Sequence, residues 1–258
     1  MPIAFNKYQG TGNDFIMIDN RAGLFSPRDS VSVKKLCDRR FGIGADGLIL
    51  ISVDPEYDFR MIYFNSDGNE STMCGNGGRC AAHFAYKAGI AGKEMQFRAA
   101  DGIHRATVEE GIIKLQMNDV SEWRLVNGNY FINTGSPHYV IFTLNVDKID
   151  VYNEGKMIRW SEDFMPGGTN VNFVETVEGG IFVRTYERGV EDETLSCGTG
   201  VTASAIAAVL TGHFDNSPVK VRTRGGNLTV KFDISEGILS NIWLSGPVEF
   251  VYKGEIDF

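Results

Sequence analysis

Cysteine and histidine are scarce in this chain, four of each among 258 residues. No two cysteines stand in C-x-x-C spacing and the histidines do not cluster with them, which excludes the common structural zinc motifs, so no metal is expected. Basic charge is short as well. The formal net charge is -8, which argues against a protein that tracks a nucleic-acid backbone. The short basic runs Lys34-Lys35 and Arg39-Arg40 read as solvated surface. Long apolar runs are missing too. The longest, Val201 to Gly212, falls short of the ~20 residues a membrane span needs and reads as a buried helix. The opening residues, MPIAFNKYQGTGNDF, show no basic segment followed by an apolar one, so no secretory leader is expected and a cytoplasmic location is. Four cysteines would suffice for two disulfides, but a chain of this length buries an adequate core without them, and free thiols are expected.

Nucleotide motifs are wanting in the same way. GIGADG, with Gly42, Gly44 and Gly47, satisfies G-x-G-x-x-G, but CDRRF precedes it and the strand-like LILISV follows. A dinucleotide fingerprint requires a strand before and a helix after. No glycine-rich turn here ends in the Gly-Lys-Ser/Thr of a phosphate-binding loop.

What the chain does have is a glycine-rich turn entered through a cysteine, twice. ESTMCGNGGRC runs from Glu70 to Cys80 and ETLSCGTGVTA from Glu193 to Ala203. The two cysteines, Cys74 and Cys197, are 123 residues apart, and the same offset pairs Glu70 with Glu193, Gly75 with Gly198, Gly77 with Gly200 and Ala82 with Ala205. Five identities in this 13-residue window compare with roughly one from ordinary amino-acid usage. The register also pairs Thr11 with Thr134, Phe41 with Phe164, Gly44 with Gly167, Tyr63 with Tyr186 and Gly89 with Gly212. A unit this long is not a solenoid repeat. It predicts two similar domains, each with one cysteine-glycine turn.

Each half reads as strand-rich. FIMID, LILISV, FRMIYF and MQFRAA in the first half, and HYVIFTL, VNFVETV, IFVRTYE, VKVRT, LTVKF and NIWLS in the second, are short apolar or alternating runs between turn residues. One helix stands out per half: Ala81, Phe84, Ala85 and Ala88 keep helical spacing, as do Ala203, Ile206, Ala207 and Leu210. Gly89 and Gly212 fall where C-terminal caps belong. DSVSVKKLCDRR reads as a further, surface helix in the first half. The second central helix is apolar nearly all round, which implies burial on every side. The fold class expected is α/β, of the α+β type: two pseudo-symmetric domains, each a mostly antiparallel sheet wrapped around a central helix, with the active site in the cleft between them.

Cys37, on the surface helix, and Cys80, inside the first central helix, read as small buried hydrophobes. Cys74 and Cys197 each open a helix, where the dipole and free N–H groups favour a thiolate. Two such groups on opposite faces of one carbon invert it, one taking a proton and the other giving one. They then titrate as a pair, not as independent acids. The carbanion formed next to a carboxylate needs stabilising, and the amides of Gly75-Asn76 and Gly198-Thr199 are placed to bind that carboxylate. The scheme requires neither metal nor pyridoxal phosphate, so no cofactor is expected.

The stretches YQGTGNDFIMID, RRFGIGADGLIL, FNSDGNESTMCGNGGRCAA, NTGSPHYVIF, NVNFVE, YERGVEDETLSCGTG and WLSGPVEFVYKGEI, in order along nearly the whole chain, resemble the diaminopimelate epimerase family. Proline racemases share the two cysteines but typically carry histidine where this chain has Asn76, and phenazine-type isomerases of the same fold lack the pair. The resemblance implies a cofactor-independent isomerase interconverting LL- and meso-diaminopimelate for lysine and peptidoglycan synthesis. Its first domain would cover residues 1–118, joined by the C-terminal segment 247–258, and its second residues 119–246. Cys74 and Cys197 would be the acid–base pair. Asn13, Asn65, Gly75, Asn76, Asn170, Glu187, Arg188, Gly198 and Thr199 would contact substrate, with Arg188 clamping the distal carboxylate and Glu187 its ammonium. His138 is an accessory candidate for orienting the amine. Ser136, where the family usually has asparagine, and Gly47, where some members have glutamine, are departures from the pattern. The only partner expected is the small-molecule substrate, and a homodimer is one assembly this allows.

Plainer readings stand beside these. Asn13 and Asn65 are also turn formers, Glu187-Arg188 is also a surface charge pair, and His138 after Pro137 is also a structural histidine. A racemase acting on proline or hydroxyproline, a silent amino-acid binding protein and a redox sensor closing a Cys74–Cys197 disulfide are the competing functions. A substrate panel separates the first, ligand-induced closure without isotope exchange marks the second, and a reversible switch with function in both states marks the third.

Overall fold

Runs that are apolar at consecutive positions need cover on both faces of a sheet, and the first third of the chain has several. The computed structural model describes residues 2–257. The chain divides into two units, one of Met1–Leu115 with Gly246–Phe258, the other of Gln116–Ser245.

The first unit contains β1 (Ile3–Gly10), β2 (Asn13–Asp19), α1 (Ser30–Cys37), β3 (Gly47–Ser52), β4 (Phe59–Asn65), the short β5 (Glu70–Ser71), α2 (Gly75–Lys87), β6 (Glu94–Ala99), β7 (Gly102–Glu109) and β8 (Ile112–Gln116). Strand β2 pairs antiparallel with β1 and parallel with β3; β3 pairs antiparallel with β4; β4 pairs parallel with β6, and β6 and β7 continue antiparallel. The alternate residues Ile16, Ile18, Leu48, Leu50, Ile62 and Phe64 join Val33 and Leu36 of α1 in one cluster. The other face of the same strands packs against α2. Burying each such side chain contributes ~1.5–3 kcal/mol, so the doubly covered strands carry most of this unit's stability.

The second unit repeats the scheme. It contains β9 (Trp123–Val126), β10 (Asn129–Asn133), β11 (Pro137–Phe142), α3 (Val151–Arg159), β12 (Asn170–Val177), β13 (Gly180–Glu187), β14 (Asp192–Thr194), α4 (Gly198–Leu210), β15 (Val219–Thr223), β16 (Gly226–Ser235) and β17 (Ile238–Pro247). Here β11 runs antiparallel to β10 and parallel to β12, β12 antiparallel to β13, and β13 parallel to β15. The final strand, β18 (Glu249–Ile256), pairs antiparallel with β1, as β9 does with β10. Val151 of α3, Val171, Phe173, Phe182 and Tyr186 form a core on one face, and α4 packs on the other.

The helix bounds keep the register of the sequence repeat: α2 and α4 have the same length and start 123 residues apart. Both end where expected. Gly89 and Gly212 take positive φ, 68° and 76°, which glycine adopts without steric cost. The surface segment near Asp29 is helical, but it stops at Cys37, and Asp38 turns Arg39-Arg40 out of it by accepting from the Arg40 and Phe41 amides. Helix α3 lies in a segment that the apolar periodicity did not mark; Gly155 sits inside it.

Candidate functional site

Helices α1 to α4 start in two different ways. Asp29 caps α1 by accepting from the Ser32 amide at 3.0 Å, and Asp150 caps α3 by accepting from the Asn153 amide at 3.1 Å. Helices α2 and α4 begin at Cys74 and Cys197, both extended, and neither side chain makes a capping hydrogen bond. First-turn amides have no acceptor inside a helix, and the N-terminal end of a helix favours an anion.

Around Cys74, half-buried, the partners come from β2 and α2. The thiol donates to Asn13 Oδ1 at 3.5 Å, and Asn76 Nδ2 donates to the same oxygen at 3.4 Å. Asn13 Nδ2 in turn donates to Asp46 at 2.6 Å. Asp46 also accepts from Arg39, which bridges to Asp14, and Asp14 pairs with Lys7. Burial alone would raise the Asp14 carboxyl, but hydrogen bonds from Arg39 and Lys7 outweigh it and hold the group down at about 2. Asn13 is thus a link between the cysteine and a charged cluster, not only a turn former. Asn65 lies apart from this link. It is exposed, and its carbonyl accepts from the Gly68 amide in a turn. Gly47 opens β3 opposite Asn65, where a Cβ would lie 2.5 Å from the Phe64 carbonyl oxygen and 2.6 Å from the Tyr63 ring. Its role here is close packing.

Cys197, only 7 % exposed, has a different setting. Its sulfur lies 3.4 Å from Thr199 Oγ1, which lies 2.8 Å from His138 Nε2. The fully buried His138 receives Asn172 Nδ2 at 3.1 Å on Nδ1. Asn172 Oδ1 accepts from Thr185, which fixes the amide's orientation and so the tautomer: His138 Nε2 carries the proton and donates to Thr199. The Thr199 hydroxyl is left to donate toward Cys197. Burial, then the Arg188 charge, pushes His138 down to about 3, so the imidazole is neutral. Gly200 is needed for this packing, because a Cβ there would lie 2.4 Å from Asn172 Oδ1.

Ser136, Asn170, Glu187 and Arg188 form a second group in this unit. Asn170 Oδ1 accepts from the Arg188 amide at 2.8 Å, and its Nδ2 donates to Ser136 Oγ and the Pro137 carbonyl. The Arg188 guanidinium donates to the Gly167 carbonyl at 3.2 Å and reaches Ser136 Oγ at 3.4 Å. Thr194 donates to Glu187 at 2.9 Å. Asn170, fully engaged, orders the Glu187-Arg188 turn. Asp46, Asn172 and Thr185 escaped the sequence reading, although Asn172 alternates with Asn170 on β12 and so shares its face. Among the described residues no group of three or more His, Cys, Asp and Glu side chains is placed to hold a metal ion.

This architecture recurs in solved structures. A phenazine biosynthesis protein of the PhzF family from Bacillus anthracis aligns over the full length of both chains, with a TM-score of 0.80 at 17 % identity. A hydroxyproline epimerase from Agrobacterium vitis aligns over 99 % of this chain and 92 % of its own, with a TM-score of 0.73 at 12 % identity. These likenesses define the fold class, an α/β chain of two pseudo-symmetric domains. Sequence goes further. The family model for diaminopimelate epimerase matches residues 5–123 and 130–251. Diaminopimelate epimerase from Flavobacterium psychrophilum is 53 % identical, covering 97 % of this chain and 98 % of its own, and that from Chlorobaculum tepidum is 45 % identical, covering 96 % and 98 %. The chain belongs to the diaminopimelate epimerase family.

Proposed function

We propose that this chain interconverts LL- and meso-diaminopimelate, with Cys74 and Cys197 as the two bases. The observation that carries the reading is the in-register pair of helices, α2 and α4, that each open at an uncapping cysteine. One thiolate takes the α-proton: the C–H bond breaks and an S–H bond forms. The other thiol gives its proton to the opposite face of the carbon, and its sulfur is left ionised. Net charge is unchanged, and the two sulfurs have exchanged roles. The amides opening α2 and α4 take the α-carboxylate, so the charge that develops beside it meets two helix N-termini. Arg188 suits the distal carboxylate and Glu187 the distal ammonium. Asn170 and Ser136 hold that pair in place. No bound cofactor enters these steps.

The test is incubation of purified protein with LL-diaminopimelate in deuterated water, beside proline and hydroxyproline. Meso product carrying deuterium at the inverted α-carbon is expected from diaminopimelate alone. Absence of inversion and of isotope uptake would overturn the proposal, and turnover of proline in its place would move the chain's activity to another amino acid. Helices long and apolar enough to cross a membrane are absent among the described residues.

A further inference from the structure

A side-chain amide or hydroxyl can meet a neighbour as donor or as acceptor, and a partner that can do only one of these decides which. Two chains of such groups end on the cysteine sulfurs, and each is anchored at a partner of that kind. In the first unit Asn13 Nδ2 donates at 2.6 Å to Asp46, a carboxylate paired with Arg39, which can only accept. Asn13 thus turns Oδ1 to the Cys74 sulfur, 3.5 Å away. A second anchor agrees. The buried Arg79 guanidinium, a donor only, binds Asn76 Oδ1 at 3.0 Å, so Asn76 presents Nδ2 to the same Asn13 oxygen at 3.4 Å. Cys74 faces an acceptor, which suits a thiol and opposes a thiolate. In the second unit the anchor is the Tyr139 carbonyl, which accepts from Asn172 Nδ2 at 3.3 Å. The same nitrogen donates to His138 Nδ1 at 3.1 Å, so the His138 proton sits on Nε2 and goes to Thr199 Oγ1 at 2.8 Å. Among the described residues that hydroxyl oxygen has one other partner, the Cys197 sulfur at 3.4 Å, and it donates there. Cys197 faces a donor, which suits a thiolate.

The repeat shows that the difference is written into the chain. At the offset of 123, His138 and Asn172 correspond to Phe15 and Ile49, which carry no donor, and Thr199 corresponds to Asn76. The strand registers agree, since Phe15 pairs with Gly47 as His138 pairs with Asn170. The charges on the strands packed against the two helices are paired or exposed. Against α2, Lys7 pairs with Asp14, Asp19 with Arg21, His104 with Asp101 and Glu109 with Lys114, while Arg60 and Arg105 are exposed. Burial pushes Tyr8 and Cys80 up to about 12, so both stay neutral, and Tyr63 packs on Phe15. Arg79 points its donors at Asn76, Thr11 and the Gly75 carbonyl, and His83 and Lys87 stand further along α2. Against α4, Arg184 pairs with Glu193, Glu175 accepts from the Asn145 and Val146 amides, and Glu187 accepts from Thr194. The Tyr130, Tyr139 and Tyr186 hydroxyls are hydrogen-bonded, and Lys220, Arg222, Lys231 and Asp233 are exposed. The charge acting on the neutral His138 is the cation Arg188, whose sign favours a thiolate.

We infer that the resting enzyme holds Cys197 as the thiolate and Cys74 as the thiol, with Asn13 and His138 as the residues that set the two states. This rests on the two-cysteine reading above. In these roles both are positioning residues: Asn13 acts through the Cys74 sulfur, and His138 acts through the Thr199 hydroxyl. The epimer whose α-hydrogen faces Cys197 meets the base at once. The other meets it only after Cys74 has given its proton to water and Cys197 has taken one from water.

The experiment measures initial rates of alkylation of the native protein by iodoacetamide across pH, resolved by site with mass spectrometry. It needs no turnover, so it can fail while the epimerase assay succeeds, and the reverse. The pH midpoint reports ionisation regardless of how accessible each sulfur is. In the unmodified protein the Cys197 midpoint is expected about one to two pH units below that of Cys74, the scale of two neutral hydrogen bonds acting in opposite senses. Asn13→Leu should lower the Cys74 midpoint by less than about one unit, because the thiol loses its acceptor. His138→Leu should raise the Cys197 midpoint by a similar amount, because the Thr199 hydroxyl is no longer held as a donor toward the sulfur. Equal or reversed midpoints in the unmodified protein would overturn the inference. So would a Cys74 midpoint that rises or stays in folded Asn13→Leu, or a Cys197 midpoint that falls or stays in folded His138→Leu. If neither variant folds, the order in the unmodified protein decides.

Discussion

The openings of α2 and α4 occupy the same place in two copies of one repeat, yet different chemistry stands behind them. Both helices begin at a cysteine whose side chain makes no capping hydrogen bond. Behind the first lies the buried charge of Arg79, with Asn13 leading out to Asp46, Arg39, Asp14 and Lys7. Behind the second lies a neutral chain, Asn172 to His138 to Thr199. What the two ends keep in common is what the proposed carboxylate binding and proton transfer require. Where they differ is in what faces each sulfur: an amide oxygen, Asn13 Oδ1, at Cys74 and a hydroxyl, Thr199 Oγ1, at Cys197.

The strongest way to break this comparison is to remove either sulfur. Cys74→Ala and Cys197→Ala should each lower the rate of inversion at least ~10³-fold, the scale of a lost general acid or base. The survivors should not behave alike. With one sulfur left, proton exchange without inversion should be confined to the epimer whose α-hydrogen faces that sulfur, and NMR in deuterated water reads this directly. Retained inversion in either variant would assign the base elsewhere.

A smaller effect separates the packing of the two helices. A Cβ at Gly200 meets the Asn172 amide oxygen at 2.4 Å, whereas one at Gly77 meets the terminal methyl of Ile49 at 3.1 Å. Gly200→Ala should therefore cost ~1–3 kcal/mol through overpacking and break the Asn172–His138 bond. For Gly77→Ala the yielding methyl and the better helix propensity of alanine should bring the net change near zero. Denaturant midpoints compare the two, and equal shifts would mean that the second helix is no more tightly set than the first.

The legible part of this molecule is the part the repeat writes twice. The bounds of α2 and α4, the cysteines at their openings and the glycines at their ends follow from residue type and spacing, because helix termini have strong local signals. So do most strands of the doubly covered sheets, whose apolar runs are nearly continuous. Helix α3 was missed because glycine lowers helix propensity and its capping Asp150 is followed by little apolar periodicity. The fixed offset carried the signal that would have found it, since α1 lies in the matching stretch. Asp46, Asn172 and Thr185 were missed for another reason. Their roles come from neighbours distant in sequence: Asp46 lies 33 residues from Asn13, and Asn172 lies 34 from His138. Arg79 was within reach, as a lone cation in a run of small and apolar helix residues.

Acid should expose the difference next. His138 is held neutral, at about 3 instead of 6.5, so the unfolded chain takes up this proton first as pH falls. Its contribution is intact above ~6.5 and lost as pH drops toward 3, at no more than ~1.4 kcal/mol per pH unit. Asp14 is held at about 2 instead of 3.8, so its stabilisation survives to ~3.8 and fades below. His83, half-buried on α2, is shifted downward as well and adds a slope of the same sign in the first unit. Stability measured between pH 7 and 4 should fall, and His138→Asn should flatten that slope more than His83→Asn does. If the order is reversed, the buried histidine is not what sensitises the second unit.

The finest discrimination concerns a single hydroxyl. Thr199 receives the His138 proton and is left to donate toward Cys197, a neutral hydrogen bond at 3.4 Å from sulfur. A bond of that kind contributes ~0.5–1.5 kcal/mol. Thr199→Val keeps the shape and removes the donor, so the alkylation midpoint of Cys197 should rise by less than about one pH unit. Thr199→Ser should restore it, and neither variant should move Cys74. The expected shift stays small because a dipole at hydrogen-bond distance stabilises a thiolate less than a full opposite charge does. An unmoved Cys197 midpoint in Thr199→Val would show that the hydroxyl does not donate to this sulfur, and the chain from Asn172 through His138 would then end at Thr199.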